Sequence, residues 1–252
     1  MSFKLLKITK DGFIETSFDD LDNKAFWCNH GERQEIAFVE VMKKLLTSYS
    51  VEVHPLKRLN PYHPDLLVTE KSTGESRIGE VKIKNSPLFF GERYGVKPQT
   101  ALTMDLKDSF NYSKWLNRGI DIDIFIWVKW EAHRMESGGK TFEVSPMRGI
   151  WVTQFSKLRK LEKSNPPPIH WYKSSFRQSQ IYRYEQEKEW CSELVLFDKR
   201  LMIEEGRVKN ITSKGYMKLE SDERVPTGHS SGSYVFDIKD ASVFDELFFR
   251  LG

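Results

Sequence analysis

The segment Asp121–Trp130, DIDIFIWVKW, constrains the fold of this 252-residue chain more than any other stretch. Its bulky apolar side chains fall on both alternating faces, with Ile122 and Ile124 on one side and Phe125 and Trp127 on the other. Successive strand residues point to opposite faces of a sheet, so a strand of this kind needs a cover on both faces. The segment therefore predicts a central strand of a mixed sheet flanked by helices, which is an α/β fold.

Composition supports a folded protein, since 39 % of the residues are hydrophobic and 13 % are aromatic. The net charge of +3 is too small to indicate a nucleic-acid partner by itself. Cys28 and Cys191 lie far apart and form no CxxC spacing, which argues against a cysteine-rich zinc site. The charged amino terminus predicts no signal peptide, and no run approaches the roughly 18 apolar residues of a membrane span. We expect a cytoplasmic protein without a membrane partner.

Periodicity predicts the elements around the central strand. A helix over Gly31–Thr47 carries an apolar stripe formed by Phe38, Val39, Met42, Leu45 and Leu46. Further predicted helices run from Pro98 to about Leu116 and over Gln154–Lys163, and a terminal helix starts at about Ala241. The predicted strands are Val51–His54, two strands of a hairpin within His63–Lys84, Gly149–Val152, a segment near Leu194–Phe197, and Gly232–Ile238.

The hairpin His63–Lys84 carries two acids and a lysine. If its turn is centred between Thr73 and Gly74, Asp65 faces Lys82, and Glu80 lies one diagonal step away. Directly opposite residues share a face of the sheet, as do residues two apart on one strand, so all three side chains are predicted on one side at one end. A slip of one residue would break this arrangement.

Two further polar residues fall on apolar helix stripes. At about 100° per residue, Glu35 lies beside Phe38 and Met42 on the first helix. A carboxylate that points into a core needs a compensating charge, which a divalent metal shared with Asp65 and Glu80 would supply. Gln99 shares a stripe with Leu102 on the predicted second helix.

Carboxylate oxygens suit Mg²⁺, with Mn²⁺ as a substitute, because both ions favour oxygen ligands. Such a metal polarises a phosphoryl oxygen and lowers the pKa of a bound water. Lys82 could orient or deprotonate that water, or stabilise charge in the transition state. The carbonyl of Val81 would complete the coordination.

The order helix, strand, strand, strand, helix, strand from Gly31 to Trp130 resembles the core of the PD-(D/E)XK nuclease superfamily, the restriction-endonuclease-like fold. Pro64-Asp65 matches its PD half-motif, and Glu80-Val81-Lys82 matches its ExK half-motif. Glu35 matches the first-helix acid of many members, including archaeal Holliday-junction resolvases, and Gln99 resembles a glutamine found on the second core helix. The resemblance implies that Asp65 and Glu80 are metal ligands, that Glu35 is a further ligand directly or through water, and that Lys82 is the catalytic lysine.

Two basic stretches are candidates for DNA contacts. The first contains Lys84, Arg93 and Lys97, and the second, which is interleaved with aromatic residues, contains Lys173, Arg177 and Arg183. The alternative for the second stretch is an ordinary solvated surface over a small aromatic core. We predict an N-terminal arm at residues 1–24, a nuclease core at 25–155, and a C-terminal accessory region at 156–252 that packs on the core and contacts DNA.

The predicted function is Mg²⁺-dependent hydrolysis of DNA phosphodiester bonds, with RNA as the less favoured substrate. A site-specific restriction-type enzyme and a structure-specific repair or recombination nuclease are both open at this point. A nucleic-acid-binding or scaffold protein that kept the fold without catalysis is a further alternative, as is a generic α/β binding domain in which the motif arose by chance. A homodimer is also an expectation, because cutting two strands needs two sites.

Overall fold

The computed structural model describes residues 3–16, 24–60, 63–171, 185–211, 217–219 and 232–251. Its helices are α1 (Lys24–Leu45), α2 (Leu106–Leu116), α3 (Phe155–Ser164) and α4 (Glu185–Glu204). The strands up to residue 130 are β1 (Phe3–Thr9), β2 (Gly12–Thr16), β3 (Tyr49–Val53), β4 (Leu66–Glu70), β5 (Ser76–Lys84), β6 (Ala101–Asp105) and β7 (Asp123–Trp130). The later strands are β8 (His133–Ser137), β9 (Lys140–Val144), β10 (Met147–Gln154), β11 (Ile169–Trp171), β12 (Val208–Ile211), β13 (Met217–Leu219), β14 (Gly232–Asp237) and β15 (Asp245–Leu251).

Six strands form the central sheet in the order β15–β10–β7–β5–β4–β3. β5 and β7 run parallel, and the other neighbouring strands are antiparallel. Phe38 of α1 packs with Val81 and Phe125 on one side of the sheet, which we call the α1 face. Tyr112 of α2 packs with Ile124 on the opposite side, the α2 face. The predicted mixed α/β class is therefore confirmed.

The central strand predicted from Asp121–Trp130 is β7. It pairs with β5 on one side and with β10 on the other. Ile124 and Ile126 are buried in the core cluster on the α2 face, whereas Phe125 is buried in the cluster on the α1 face. Both faces of this strand are covered, as its apolar pattern requires.

Helix α1 starts earlier than predicted and ends at Leu45. Phe38, Val39 and Met42 are buried on the sheet, so most of the predicted stripe is confirmed. Leu45 is 41 % exposed, however. It lies at the edge of the stripe in the last residue of the helix, and the buried stripe is therefore narrower than predicted.

The helix predicted from Pro98 to Leu116 is wrong in its first part. Residues Ala101–Asp105 form β6, and the helix begins only at Leu106. Thr103 lies opposite Val235 of β14, so β6 belongs to a small sheet with the order β11–β14–β6. Pairing with a strand more than a hundred residues away overrides a local pattern that also suits a helix.

Two predictions in the C-terminal region are also wrong. The segment near Leu194–Phe197 lies within α4, where Leu194 and Met202 are buried at a helical spacing. The predicted terminal helix is instead β15, which pairs with the outer edge of β10. The strand predicted at Gly232–Ile238 is present as β14.

The C-terminal region contributes to the central sheet. β15 supplies its outermost strand next to β10, although the two strands lie on opposite sides of residue 155. The predicted division into a core at 25–155 and an accessory region at 156–252 stays a prediction. The strands of the central sheet come from both sides of this boundary. At the other end of the chain, β1 and β2 form a hairpin that pairs with β8. No helix in the described ranges is long and apolar enough to cross a membrane.

Candidate active site

The hairpin of β4 and β5 places the predicted acids side by side. Leu66 pairs with Gly79, and continuing this register puts Asp65 opposite Glu80. The predicted pairing of Asp65 with Lys82 is therefore wrong by two residues. Because side chains repeat their face every two residues, the shift leaves Asp65, Glu80 and Lys82 on the same face, as predicted.

Backbone hydrogen bonds hold the two carboxylates against each other. The Asp65 amide donates to Glu80 Oε2 over 3.2 Å, and the Val81 amide donates to Asp65 Oδ2 over 3.2 Å. Asp65 is 3 % exposed and Glu80 is 8 % exposed. Two adjacent buried carboxylates repel each other and require a nearby positive charge.

Two lysines supply positive charge to this pair. Lys57 Nζ lies 2.6 Å from Asp65 Oδ1, and Lys82 Nζ lies 2.9 Å from Glu80 Oε1. Burial alone would lower the pKa of Lys57, but the charges of Asp65 and Glu80 raise it above its ordinary value. Lys57 was not among the predicted site residues, because a lysine eight positions before Asp65 has no distinguishing sequence pattern.

Helix α2 adds a third carboxylate, from Asp108, whose Oδ2 lies 3.0 Å from Lys82 Nζ. Burial alone would lower the pKa of Lys82, but the carboxylates of Asp108 and Glu80 raise it well above its ordinary value. Burial raises the pKa of the neighbouring Tyr112 hydroxyl well above its ordinary value, and the charges of Asp108 and Glu80 act in the same direction. Lys82 is therefore held as an ammonium ion in this arrangement.

Sequence patterning did not single out Asp108. Asp108 and Tyr112 are four residues apart and share one face of α2, which is a pattern that could have identified them. The predicted helix began at Pro98, so its apolar stripe passed through Gln99 and Leu102 and did not include Asp108.

Glu35 lies on α1, partly buried, and its charge is close enough to raise the pKa of Lys57. Across the described residues, no three side chains of His, Cys, Asp or Glu lie close enough together to hold a metal ion. Glu35 is thus not brought together with Asp65 and Glu80 as a third ligand, and a role through water stays a prediction. The neighbouring Gln34 is buried, and its Oε1 accepts a hydrogen bond from Asn85 Nδ2 over 3.3 Å.

Gln99 does not lie on a helix, so the stripe argument for its catalytic role is wrong. It precedes β6 in a turn, where its side chain bridges to the backbone of Ser145. Gln99 Nε2 donates to the Ser145 carbonyl and Gln99 Oε1 accepts from the Ser145 amide, each over 2.9 Å. This pair of hydrogen bonds fastens the turn to the loop after β9.

The predicted DNA-contacting residues fall into three groups. Lys84 is partly buried, and its Nζ donates to Thr103 Oγ1 over 3.2 Å. Burial lowers the pKa of Lys84, an effect that the charge of Asp105 partly offsets. Arg93 and Lys97 are exposed. The remaining predicted contacts lie outside the described residues: Lys173, Arg177 and Arg183.

The donor set suits a hard divalent cation. Two buried carboxylates, from Asp65 and Glu80, already face cationic groups, and Mg²⁺ is commonly held by one or two protein carboxylates together with waters and phosphate oxygens. Asp65, Glu80 and the Val81 carbonyl are the groups that would hold it. The site is compatible with the metal, although among the described residues no third His, Cys, Asp or Glu side chain completes a metal-binding group with these two.

Comparisons with known proteins add little to this geometry. No family model matches the chain, and no curated protein matches it. Among solved structures it is similar to Hjc from Archaeoglobus fulgidus, a Holliday junction resolvase from an archaeal hyperthermophile, with 14 % sequence identity. The match covers 45 % of this chain and 85 % of that chain, with a TM-score of 0.24. At this TM-score the similarity supports no conclusion about function, which is inferred from the site itself.

Proposed function

We propose that this protein is a Mg²⁺-dependent DNA endonuclease that hydrolyses phosphodiester bonds. The observation that carries the proposal is the pair of adjacent buried carboxylates, Asp65 and Glu80, with Lys82 on the same face of the sheet. The residue types and their positions on adjacent strands match the half-motifs by which the chain resembles PD-(D/E)XK nucleases. An acid pair alone would suit many cations, and the lysine makes phosphate the favoured substrate group.

Each residue has a defined role in this proposal. Asp65, Glu80 and the Val81 carbonyl would hold the metal ion, which when bound would lower the pKa of a water molecule and polarise a phosphoryl oxygen. Lys82 orients the attacking water or stabilises the charge that builds on the phosphorus-bound oxygens. Glu35 would contact the metal ion through a water molecule. Mn²⁺ can replace Mg²⁺.

The proposed substrate is DNA, with RNA less favoured. Restriction-type cutting at a defined sequence and cutting at a defined DNA structure both remain compatible with this site. A homodimer would provide two sites for two strands. Lys84 lies beside the carboxylate site, and Arg93 and Lys97 offer exposed cations for phosphate contacts.

A second candidate is a nucleic-acid-binding or scaffold protein without catalysis. One observation favours it: each of the four carboxylate oxygens of Asp65 and Glu80 already has a partner in the protein. The partners are two lysine ammonium groups and two backbone amides. Such a site is satisfied electrostatically without any metal ion.

Supercoiled plasmid distinguishes the two candidates. The wild-type protein should convert it to nicked or linear DNA with Mg²⁺ or Mn²⁺ and should be inactive with EDTA. Asp65→Asn, Glu80→Gln and Lys82→Ala should each lower the rate by about 10²-fold or more, since each removes part of the metal site or its charge stabilisation.

Asp123→Asn is the matched control, because Asp123 is a buried acid of the adjacent strand β7 whose side chain lies on the opposite, α1 face near Arg77. It should cleave at the wild-type rate. Cleavage that survives EDTA or any of the three site substitutions would contradict the metal-site assignment. DNA binding without cleavage under all conditions would favour the scaffold, and discrete bands rather than a smear would favour restriction-type cutting.

A further inference from the structure

Lys57 is held in place by the turn that precedes the PD half-motif. The turn spans Pro55–Arg58 and follows β3 directly. The His54 amide donates to the Asp65 carbonyl over 2.7 Å, which ties the start of the turn to the start of β4. The Lys57 amide donates to the His54 carbonyl over 3.0 Å, and the Leu56 amide donates to His54 Nδ1 over 3.1 Å. The backbone therefore fixes the root of the Lys57 side chain next to Asp65.

Aromatic packing supports the same turn from the other side. The rings of His54 and His63 contact each other at an angle of 36°, with centroids 3.9 Å apart. His63 is buried and meets the Trp115 ring of α2 edge-on, with centroids 5.0 Å apart. His63 thereby connects His54, the residue that begins the turn, to Trp115 of α2.

The Lys57 ammonium occupies a specific position on Asp65. It lies 2.6 Å from Asp65 Oδ1 and donates to the His63 carbonyl over 3.0 Å. Its side chain is 26 % exposed, so water screens this pair only in part. The other carboxylate oxygen, Oδ2, accepts the Val81 amide. Oδ1 is therefore the oxygen of Asp65 that has no backbone donor in this arrangement, and it is the oxygen that we assign to a metal ion.

The second lysine of the site is placed differently. Lys82 contacts Glu80 and also Asp108, at 3.0 Å. It can yield Glu80 to a metal and still keep Asp108 as a counter-ion. A metal ion on Asp65 Oδ1 would bind the same oxygen as the Lys57 ammonium. The two cations would repel each other strongly at contact distance, so the ammonium would have to move.

We propose that Lys57 is a built-in counter-cation that occupies the metal position on Asp65 and must be displaced when the divalent cation binds. This inference rests on the proposed metal site, and it assigns to Lys57 the control of metal affinity rather than a contact with the reacting phosphate. Without a metal ion, the Lys57 ammonium balances the charge of the Asp65 carboxylate. Metal binding is weakened by the free energy that is needed to move this ammonium away.

Removal of the ammonium should tighten metal binding. Lys57→Met keeps the length and apolar stem of the side chain, and we expect it to bind Mn²⁺ about tenfold more tightly than the wild type, since it removes one unit charge at contact distance from the ligand. Lys57→Arg keeps the charge and should bind Mn²⁺ as weakly as the wild type. Lys157→Met is the matched control, because it breaks an ion pair with Asp245 remote from the site, and it should leave the affinity unchanged.

Mn²⁺ titration followed by electron paramagnetic resonance measures this affinity without reference to cleavage. Thermal unfolding in EDTA checks that each variant is folded, and the rise of the melting temperature on adding Mn²⁺ should be larger for Lys57→Met than for the wild type. If Lys57→Met binds Mn²⁺ equally or more weakly while Asp65→Asn abolishes binding, the counter-cation role is wrong and the metal site stands. If neither the wild type nor Lys57→Met binds Mn²⁺, the metal site itself is wrong, and the proposed function fails with it.

Discussion

At the scale of single residues, two lysines balance the three carboxylates of the site only in part. Lys57 pairs with Asp65, and Lys82 lies between Glu80 and Asp108. The second pairing matters because Glu80 belongs to the hairpin whereas Asp108 belongs to α2. Asp108 therefore fixes the Lys82 ammonium from the opposite side and acts as a positioning residue in the proposed reaction.

Asp108→Asn should lower the rate of DNA cleavage at saturating DNA by about 10- to 100-fold, as is typical when a group that orients a catalytic residue is removed. Mn²⁺ affinity should change little, since Asp108 is not a proposed ligand. The KM for DNA should also stay close to the wild-type value, and Asp108→Glu should restore part of the rate. A loss of Mn²⁺ binding in Asp108→Asn would contradict this role and would make Asp108 a ligand.

At the scale of elements, a buried carboxylate joins the two helices that cover the α2 face. Glu162 of α3 is 6 % exposed, and its two oxygens lie 2.7 Å and 2.8 Å from the Ser109 hydroxyl of α2. Arg159 donates to the same carboxylate over 2.7 Å. Ser109 directly follows Asp108, so this contact also sets the position of the site helix.

The Glu162 contact predicts a pH dependence of stability. Burial raises the pKa of Glu162 above its ordinary value of 4.5, although Arg159 and Ser109 act in the opposite direction. A raised pKa in the folded state means that the stability is full below the unfolded-state pKa and is lost as the pH rises through the folded-state pKa. The free energy of unfolding of the wild type should therefore fall relative to that of Glu162→Gln as the pH rises above the ordinary glutamate pKa of 4.5.

Urea unfolding at a series of pH values, followed by tryptophan fluorescence, measures this difference. Glu40→Gln is the control, because Glu40 is exposed and its pKa is lowered by Lys43, so any dependence on pH should be small and of opposite sign. A difference that grows in favour of the wild type with rising pH would mean that the Arg159 ion pair outweighs the cost of burying the charge.

At the scale of the whole molecule, the sheet that carries the site is completed by the end of the chain. β15 covers the outer edge of β10, and Tyr234 and Phe236 of β14 are buried in the same cluster as Tyr112 and Ile124. The strands on both sides of the predicted boundary at residue 155 thus share one hydrophobic core.

A shortened protein of residues 25–155 should show no cooperative urea unfolding, because it lacks β15, α3 and β14 and exposes both an unpaired strand edge and apolar core surface. A protein of residues 25–252 is the matched control. Of the described elements it lacks the β1–β2 hairpin, which pairs with β8 outside the central sheet, and the first residue of α1, and it should keep a cooperative transition. Cooperative unfolding and protected amides in the 25–155 protein would support the predicted domain division.

Part of the site could be predicted from local patterns, and part could not. Glu80 and Lys82 were predicted on one face because they are two residues apart on one strand. Asp65 was predicted on the same face because the predicted hairpin register differs from the observed one by an even number of residues. Their register was wrong by two residues, since it depends on the turn around Gly74, whose φ is +72°. Lys57 was missed because its importance comes from a contact with the hairpin that no spacing within the sequence encodes. Asp108 was missed because the predicted second helix followed a different stripe, although its spacing from Tyr112 places both residues on one face of α2.

The sequence by itself determined the elements whose burial pattern is long and unambiguous: the central strand β7, the helices α1 and α3, and the motif-bearing hairpin. Their apolar periodicity matches one type of element only. Tertiary structure alone decided β6 and β15, because short apolar segments suit either a strand or a helix until a distant strand offers its hydrogen bonds. It also decided that Lys57 pairs with Asp65, since this partner is set by the proximity of the two side chains in the folded molecule and not by their spacing along the chain.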